Sequence, residues 1–399
     1  MIHDVIVMGG GPAGATAALA LARAGWSVAL VEKSDFPRRK VCGEFISATS
    51  LDLLEKLDIA LPFFQQAGPE IRRVGIFAGD ARVVAPMPSP RTGSHRWGRA
   101  LGREHLDSLL LGQAAVAGAR IWQPWTVTEL EQDPGEVRCR LRRNDKPGQA
   151  ELRGRIAIAA QGSWDRGDLP GLTRSTARRP SDLFGFKAHF TGAALDPDLM
   201  PLLAFPGGYG GMVHTDGNRV SLSCCLRRDR LQQCRARFSR LGAAESVLAH
   251  IQSHCGAVEE ALREAELTAP WLAIGPIRPG FRTLRQGRVF LAGNAAGEAH
   301  PVIAEGISLA IQGAWLLANT LLADGGAVLR GALDTAGNRY AAAWRAQFAP
   351  RIRRSALIAW LAMQPSATAA IVFLFKLFPG ALTECTRFSG KTRLLAGLA

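Results

Sequence analysis

The sequence predicts an α/β protein in three parts. These are a parallel-sheet domain that binds a dinucleotide and is built from separated segments, an antiparallel-sheet domain inserted into it, and a helical C-terminal segment. Three observations carry this. The first 32 residues read as strand, glycine-rich turn, helix and strand. Stretches near residues 185 and 220 alternate apolar and polar side chains at period two. Residues 356–375 carry no charge and are interrupted by Pro365. The boundaries that follow are 1–70, 96–178 and 271–330 for the nucleotide domain, 71–95 and 179–270 for the inserted sheet, and 331–399 for the helical segment.

Composition narrows the function. At 399 residues, 47% hydrophobic and 21% charged, the chain can bury a large core and is globular. Its net charge of +14 comes mainly from Arg. The basic residues are dispersed, with no zinc-finger spacing and no aromatic motif of an RNA-binding sheet, so no nucleic-acid partner is expected. A phosphate-bearing cofactor or an anionic membrane accounts for the charge equally well. The seven Cys are scattered, with Cys224-Cys225 the only close pair and no CxxC, which predicts free thiols and no metal site. The N-terminus enters a strand pattern directly, without the basic and apolar regions of a signal peptide, and the expected location is the cytoplasm.

The N-terminal segment "HDVIVMGGGPAGATAALALARAGWSVALVEKSD" gives a strand at Val5–Met8, a helix from Ala13 to Ala24 and a second strand at Val28–Val31. Between strand and helix stands Gly9-x-Gly11-x-x-Gly14. Gly9 permits the turn, Gly11 lets the backbone approach a pyrophosphate, and Gly14 lets helix and strand pack closely. Pro12 and Ala13 open the helix, whose unpaired N–H groups face the phosphates. Glu32 ends the second strand, where an acid accepts hydrogen bonds from a ribose and disfavours a 2′-phosphate. Lys33 follows it. No second GxGxxG occurs in the chain.

Far downstream, "GRVFLAGNAAGEAHPVIAEGISLAIQGAWLLA" (287–318) reads as a strand at Val289–Ala292, a turn through Gly293, Asn294 and Ala295, then a helix from about Ile307 to Leu317. Here the chain resembles the flavoprotein superfamily of aromatic-ring monooxygenases, geranylgeranyl reductases and flavin-dependent halogenases. The resemblance implies a discontinuous Rossmann-like FAD-binding domain under an antiparallel substrate sheet. It also implies that this segment contacts FAD through Gly293, Asn294, Ala295, Pro301, Glu305, Gly306 and Ile307. The family's Asp is Asn294 here, and an Asn can still donate to and accept from ribityl hydroxyls. The stretch "GREHLDSLLLGQAAVAGARI" (102–121) matches the family's Arg at a helix start, so Arg103 is expected to touch FAD. After the strand "IAIAA" the family's Gly-Ala-Asp-Gly is replaced by Ala160-Gln161-Gly162-Ser163-Trp164-Asp165. NADPH or NADH is expected as a transient reductant without a Rossmann domain of its own.

"RRKVCGEFIS" contains Pro37-x-x-Lys40-x-Cys42-Gly43 with the residue before it, a pattern shared with geranylgeranyl reductases, and the resemblance puts Lys40 and Cys42 beside the flavin ring. Cys42 is then either a proton donor, its thiol acidified by Arg38, Arg39 and Lys40, or a small packing residue. Glu44, Glu305 and His300 are further candidates near the ring. In "FPGGYGGMVH" the reductase motif keeps Pro206 and Tyr209, with Gly211 in place of a Trp and Val213-His214 in place of Phe-Pro. These small residues either open space above the flavin or only form a glycine-rich hairpin. Cys42, Tyr209 and His300 are the catalytic candidates.

The substrate implied is a hydrophobic small molecule of polyketide, aromatic or isoprenoid type. Loss of the reductase Trp and Phe-Pro favours NAD(P)H-fed monooxygenation. Cys42 and Tyr209 favour double-bond reduction, and the altered motifs also allow a flavin-binding scaffold or sensor without turnover. No WxWxIP halogenase motif is present. The apolar stretch 356–375 is read as two short helices packed on the cofactor domain, with a peripheral membrane patch as the alternative. The sequence does not specify an oligomeric state.

Overall fold

The computed structural model describes residues 1–162 and 177–395. Ser163, Trp164 and Asp165 of the middle motif lie outside the described residues. Strand Ile2–Met8 is central in a parallel sheet. Val28–Val31 and Arg120–Trp122 lie on one side of it, and Gln149–Ala159 and Val289–Leu291 on the other. Val5, Ile6 and Val7 are wholly buried, as a strand covered on both faces requires. The Pro12–Arg23 helix packs between the Arg103–Val116 and Gly306–Gly326 helices, and all three share a core with the sheet. The Gly306–Ala323 stretch is long and apolar enough to cross a bilayer, but 56% of it is buried inside this core.

The second sheet runs in the order Glu266–Leu267, Leu183–Thr191, Val220–Arg227, Gly208–His214, Leu199–Phe205, Arg73–Ala78, Ala81–Pro86. It is antiparallel except where Leu199–Phe205 meets Arg73–Ala78. Period two sorts its faces. Phe186, Ala188, Phe190 and Leu222 pack with Val247, Ile251 and Val258 of the covering helices. Lys187, His189 and Tyr209 point the other way, toward the nucleotide domain. Strand Leu272–Ile277 also joins this sheet, beside Leu183–Thr191, although it falls in the 271–330 range assigned to the nucleotide domain. Its backbone groups find their partners along that sheet's edge.

The helical segment differs in part from expectation. Its first helix, Leu333–Ala362, is 30 residues long. It packs on the cofactor domain, where Tyr340, Trp344 and Phe348 enter the core and the Tyr340 hydroxyl donates to the Leu291 carbonyl at 2.8 Å. Gln364 is extended (φ −101°, ψ 111°) ahead of Pro365, and the next helix, Pro365–Leu377, turns away by 101°; proline disfavours helical geometry at the residue before it. The two last helices, Pro365–Leu377 and Gly380–Phe388, lie on the second sheet instead. There Val372, Phe375 and Leu382 pack on Val74, Ile76 and Val83.

Glu44 joins the two sheets. Its carboxylate accepts from Lys187 Nζ and, at 2.7 Å, pairs with His189 Nε2; all three side chains are fully buried. Burial alone would raise the Glu44 pKa, but His189 and Lys187 outweigh it and hold the carboxyl at about 2. Against an ordinary 4.5 that contributes roughly 3 kcal/mol. The contribution is complete above pH 4.5 and is lost as the pH falls toward 2. Lys187→Met strands the carboxylate and is expected to lower the unfolding free energy by about 3–5 kcal/mol at neutral pH. Adding Glu44→Gln should restore part of it. Urea unfolding of both variants checks this, and a single variant as stable as the parent would remove the clamp.

Candidate cofactor and substrate site

The N-terminal cradle has the form a pyrophosphate needs. Gly9 has φ +106°, and a Cβ there would stand 2.7 Å from the Ala160 carbonyl oxygen. Gly14 packs onto the Gly9 carbonyl, where a Cβ would overlap the oxygen; its part is packing. Above Gly11 a Cβ would meet only Arg103 Nη2, at 3.7 Å. Gly11 caps the Pro12–Arg23 helix without any side-chain cap, so the first N–H groups face the open space. Pro12, Ala13 and Lys33 line the same cavity. Glu32 accepts from the Gly10 and Ser34 amides at 2.7 and 2.9 Å, and from Arg38 at 3.3 Å.

Positive charge gathers around this space. Arg103 forks onto Asp107 with two bonds of 2.7 Å. Burial opposes its charge, but Asp107 and, behind it, the Cys42 sulfur raise its pKa. Burial, then Arg38 and Arg103, lower Lys40 to about 8, so it is still mostly charged at neutral pH. The buried Nε of Arg38 has no protein partner. Three cations face two carboxylates, Glu32 and Asp107, and the surplus suits a diphosphate. These residues fit FAD: Gly11, the helix start and Arg103 would hold its phosphates, and Glu32 its ribose.

The downstream segment meets the cradle closely: a Cβ on Gly293 would stand 2.8 Å from that of Ala13. Asn294 lines the cavity, but its amide nitrogen donates to Glu298 at 3.0 Å. Arg282 donates to the same carboxylate at 3.0 Å and to the Asn294 carbonyl. The acid beside the cavity is thus Glu298, four residues beyond the family's Asp position. Pro301, Gly306 and Ile307 line the cavity, whereas Ala295 is buried in the core. Glu305 is a correction. It does not line the cavity; its buried carboxylate is taken up by Lys391 Nζ (3.4 Å), Ser47 Oγ (3.4 Å) and Arg351 (3.9 Å), because a buried anion is paired first.

On the ring side, Cys42 lines the cavity and accepts the Glu44 amide at 3.4 Å, and its sulfur is near enough to Arg103 to help raise that guanidinium's pKa. The cation that reaches its sulfur is Arg103; Arg38 turns to Glu32 and Arg39 to the Pro270 carbonyl. Tyr209 stands on the hairpin Leu199–Phe205/Gly208–His214, which is both glycine-rich and part of the cavity wall. Burial, then Cys225, raise its phenol pKa well above 10. His300 is a second correction. It lies outside the cavity wall and meets the Tyr209 hydroxyl from behind at 3.4 Å. Burial lowers its pKa to about 4, so it is neutral at physiological pH. Val213 lines the cavity, while His214 turns to the Leu195 carbonyl at 2.8 Å.

One continuous cavity of about 380 Å³ runs from Gly11 and Arg103 past Cys42 and Tyr209 to Leu361, Phe375, Leu382 and Lys391 of the C-terminal segment. Lys391 was not legible as a site residue. Glu298 had a signal in the sequence, an acid one helical turn after Asn294. Lys187 and His189 had another, two polar residues at i, i+2 in an apolar strand.

Residues 3–354 match the family model described as FAD binding domain. The chain belongs to this FAD-binding family. It is 28% identical over 318 residues to digeranylgeranylglycerophospholipid reductase 2 of Methanopyrus kandleri, covering 77% of this chain and 74% of that protein. It is 34% identical over 131 residues to the menaquinone reductase of Mycolicibacterium smegmatis, a match spanning 33% of this chain and 31% of that protein. The structure of flavin-dependent brominase Bmp2 superposes with a TM-score of 0.77 at 17% identity, over 98% of this chain and 94% of that one. The chain is a FAD-binding protein that shares the fold of the brominase.

Two variants test the cofactor assignment. Gly11→Val fills the open space and is expected to give colourless protein with an unchanged fold; stoichiometric flavin absorbance would show that the phosphates bind elsewhere. Asn294→Asp sets a second carboxylate against Glu298 and should weaken FAD about tenfold, near 1.4 kcal/mol, with Glu298→Gln restoring affinity. Flavin fluorescence titration reads both, and tightening by the single variant would show that the position prefers an acid here too.

Proposed function

We propose that this chain reduces carbon–carbon double bonds of a long isoprenoid substrate, with FAD reduced by NADPH or NADH in the cytoplasm. One observation carries the reading. Past Cys42 and Tyr209 the cavity is walled by Val74, Ile76, Leu202, Ile358, Leu361, Phe375 and Leu382, and among the described residues Lys391 is the only charged group there. Such a wall suits a hydrocarbon chain. Among the described residues this far part of the wall has no carboxylate or imidazole, the kind of group from which ring hydroxylation gains general-base assistance. The reductase names of the relatives support the same choice.

When bound, reduced FAD would supply a hydride to one alkene carbon. The other carbon needs a proton, and Cys42 would supply it; burial raises the pKa of the other thiols in the wall, Cys224, Cys225 and Cys385. Arg103, whose charge is felt at the Cys42 sulfur, would stabilise the negative charge left behind. Tyr209, with its raised pKa, is the poorer acid. Glu44 is already committed to Lys187 and His189 and serves to fix the loop that carries Cys42. A second reading, hydroxylation, rests on Gly211, where an added Cβ would have only the Pro201 carbonyl within reach, at 3.3 Å. That leaves room above a flavin for oxygen chemistry. The scaffold reading is weaker, because it leaves the Cys42–Arg103 pair and the lined cavity without a role.

Prereduced enzyme under argon should convert a polyprenyl lipid to product with no oxygen present; turnover that requires O₂ would select hydroxylation. Cys42→Ser should slow the step that consumes reduced flavin by about 10²-fold or more, the scale of general acid catalysis, while flavin reduction by NAD(P)H stays within twofold. Stopped-flow traces separate the two half-reactions. Equal rates for both proteins in both halves would leave the thiol a packing role.

A further inference from the structure

Seven of the fourteen large apolar side chains exposed among the described residues lie between 357 and 388. They include Leu357, Trp360, Phe373, Leu377, Phe378 and Phe388, with exposures from 49 to 64%. All stand on the outer faces of the last three helices. The inner faces of the same helices carry Leu361, Phe375 and Leu382, which wall the cavity. A single layer of helix therefore separates the cavity from an apolar surface of a kind that monomeric proteins rarely leave open to water.

Charge identifies what covers it. From 351 to 395 the chain has seven basic residues and one acid, a net of +6 out of +14 for the whole chain. The acid, Glu384, is paired with Arg387, and Arg351 and Lys391 are buried. Arg353, Arg354, Lys376 and Arg393 remain on this stretch of chain, and Arg353 lies over the exposed Phe281 ring at 5.6 Å. Arg354 lies over the Phe388 ring at 4.2 Å. Aromatic and aliphatic side chains ringed by Arg and Lys match the boundary of an anionic bilayer, where rings enter the headgroup region and cations meet phosphates. Helix Pro365–Leu377 has 13 residues, about 20 Å of helix against a hydrocarbon core of about 30 Å. It is set at 101° to the preceding helix. Such an element lies in the interface and does not span.

We propose that the outer face of residues 357–388 docks this protein on an anionic lipid surface and so holds the cavity's far end against the acyl chains. The docking does not depend on which reaction the flavin performs. Holoprotein should co-sediment with phosphatidylglycerol vesicles and bind phosphatidylcholine vesicles at least tenfold more weakly. The triple variant Trp360→Ser/Phe373→Ser/Phe378→Ser should lose at least tenfold in binding while keeping its FAD content and Tm, since none of the three lines the cavity. Lys376→Glu/Arg353→Glu should lose the preference for phosphatidylglycerol and retain the weaker binding to phosphatidylcholine. The proposal is overturned if holoprotein stays in the supernatant with both vesicles, or if the triple variant binds like the parent. A dimer seen by light scattering and dissolved by the triple variant would assign the face to a second copy of the chain and overturn it as well.

Discussion

The site depends on one buried carboxylate. Glu44 sits in the left-handed region, at φ +61°, a conformation a non-glycine residue adopts only when its surroundings hold it. Here they do: Lys187 and His189 approach from the second sheet, and the Arg103 amide donates to the same carboxylate at 3.2 Å. Lys187 Nζ also reaches the Lys40 carbonyl at 3.4 Å. The segment from Lys40 to Glu44, with Cys42 inside it, is therefore held at both ends by a side chain of the opposite domain. Desolvating these charges is costly, and the mutual pairing offsets it. What the arrangement secures is position: cofactor-side and substrate-side residues meet in a fixed geometry although they are some 140 residues apart in the chain.

A second buried ion cluster does for the C-terminus what Glu44 does for the loop. Glu305 immediately precedes the Gly306–Gly326 helix, whose first turn lines the cavity, and it binds Lys391 and Arg351. Burial lowers the Arg351 pKa to about 10, with Glu305 the opposing influence. Arg351 in turn donates to Gln312 at 3.0 Å and to the Arg393 carbonyl at 2.6 Å. Lys391 and Arg393 are thereby tied to the start of a helix whose first turn lines the cavity. The long helix and the two that follow become part of the cavity wall instead of an appendage.

These two clusters also explain what could be read from the sequence. Local steric demands were legible. Gly9, Gly11 and Gly14 have no substitute at their spacing, Glu32 ends a strand at a fixed distance from them, and period two marks the strand that carries Lys187 and the one near residue 220. Roles set by a distant partner were not legible. Glu305 matches a family pattern, yet its charge is claimed by Lys391, 86 residues later. His300 precedes a cavity proline but faces the back of Tyr209. Asn294 was read by its own hydrogen-bonding capacity, whereas its meaning lies in Glu298 one turn on. In each case the residue type was informative, and the direction of the side chain was decided by contacts that no local window contains.

The same division separates cofactor from substrate. The family match ends at residue 354, and every group that would hold FAD lies before it. Leu361, Phe375, Leu382 and Lys391, which close the far end of the cavity, lie after it. A fold shared with a brominase and with lipid reductases fixes where the flavin can sit, but it does not fix what reaches it. In this chain the far end of the cavity is closed by Leu361 and by the helices after the break at Gln364. Their inner faces form an aliphatic wall, and their outer faces carry much of the protein's exposed aromatic surface and excess charge. The cavity wall and the exposed apolar surface are therefore two sides of one layer, and a change of helix packing there would alter both together.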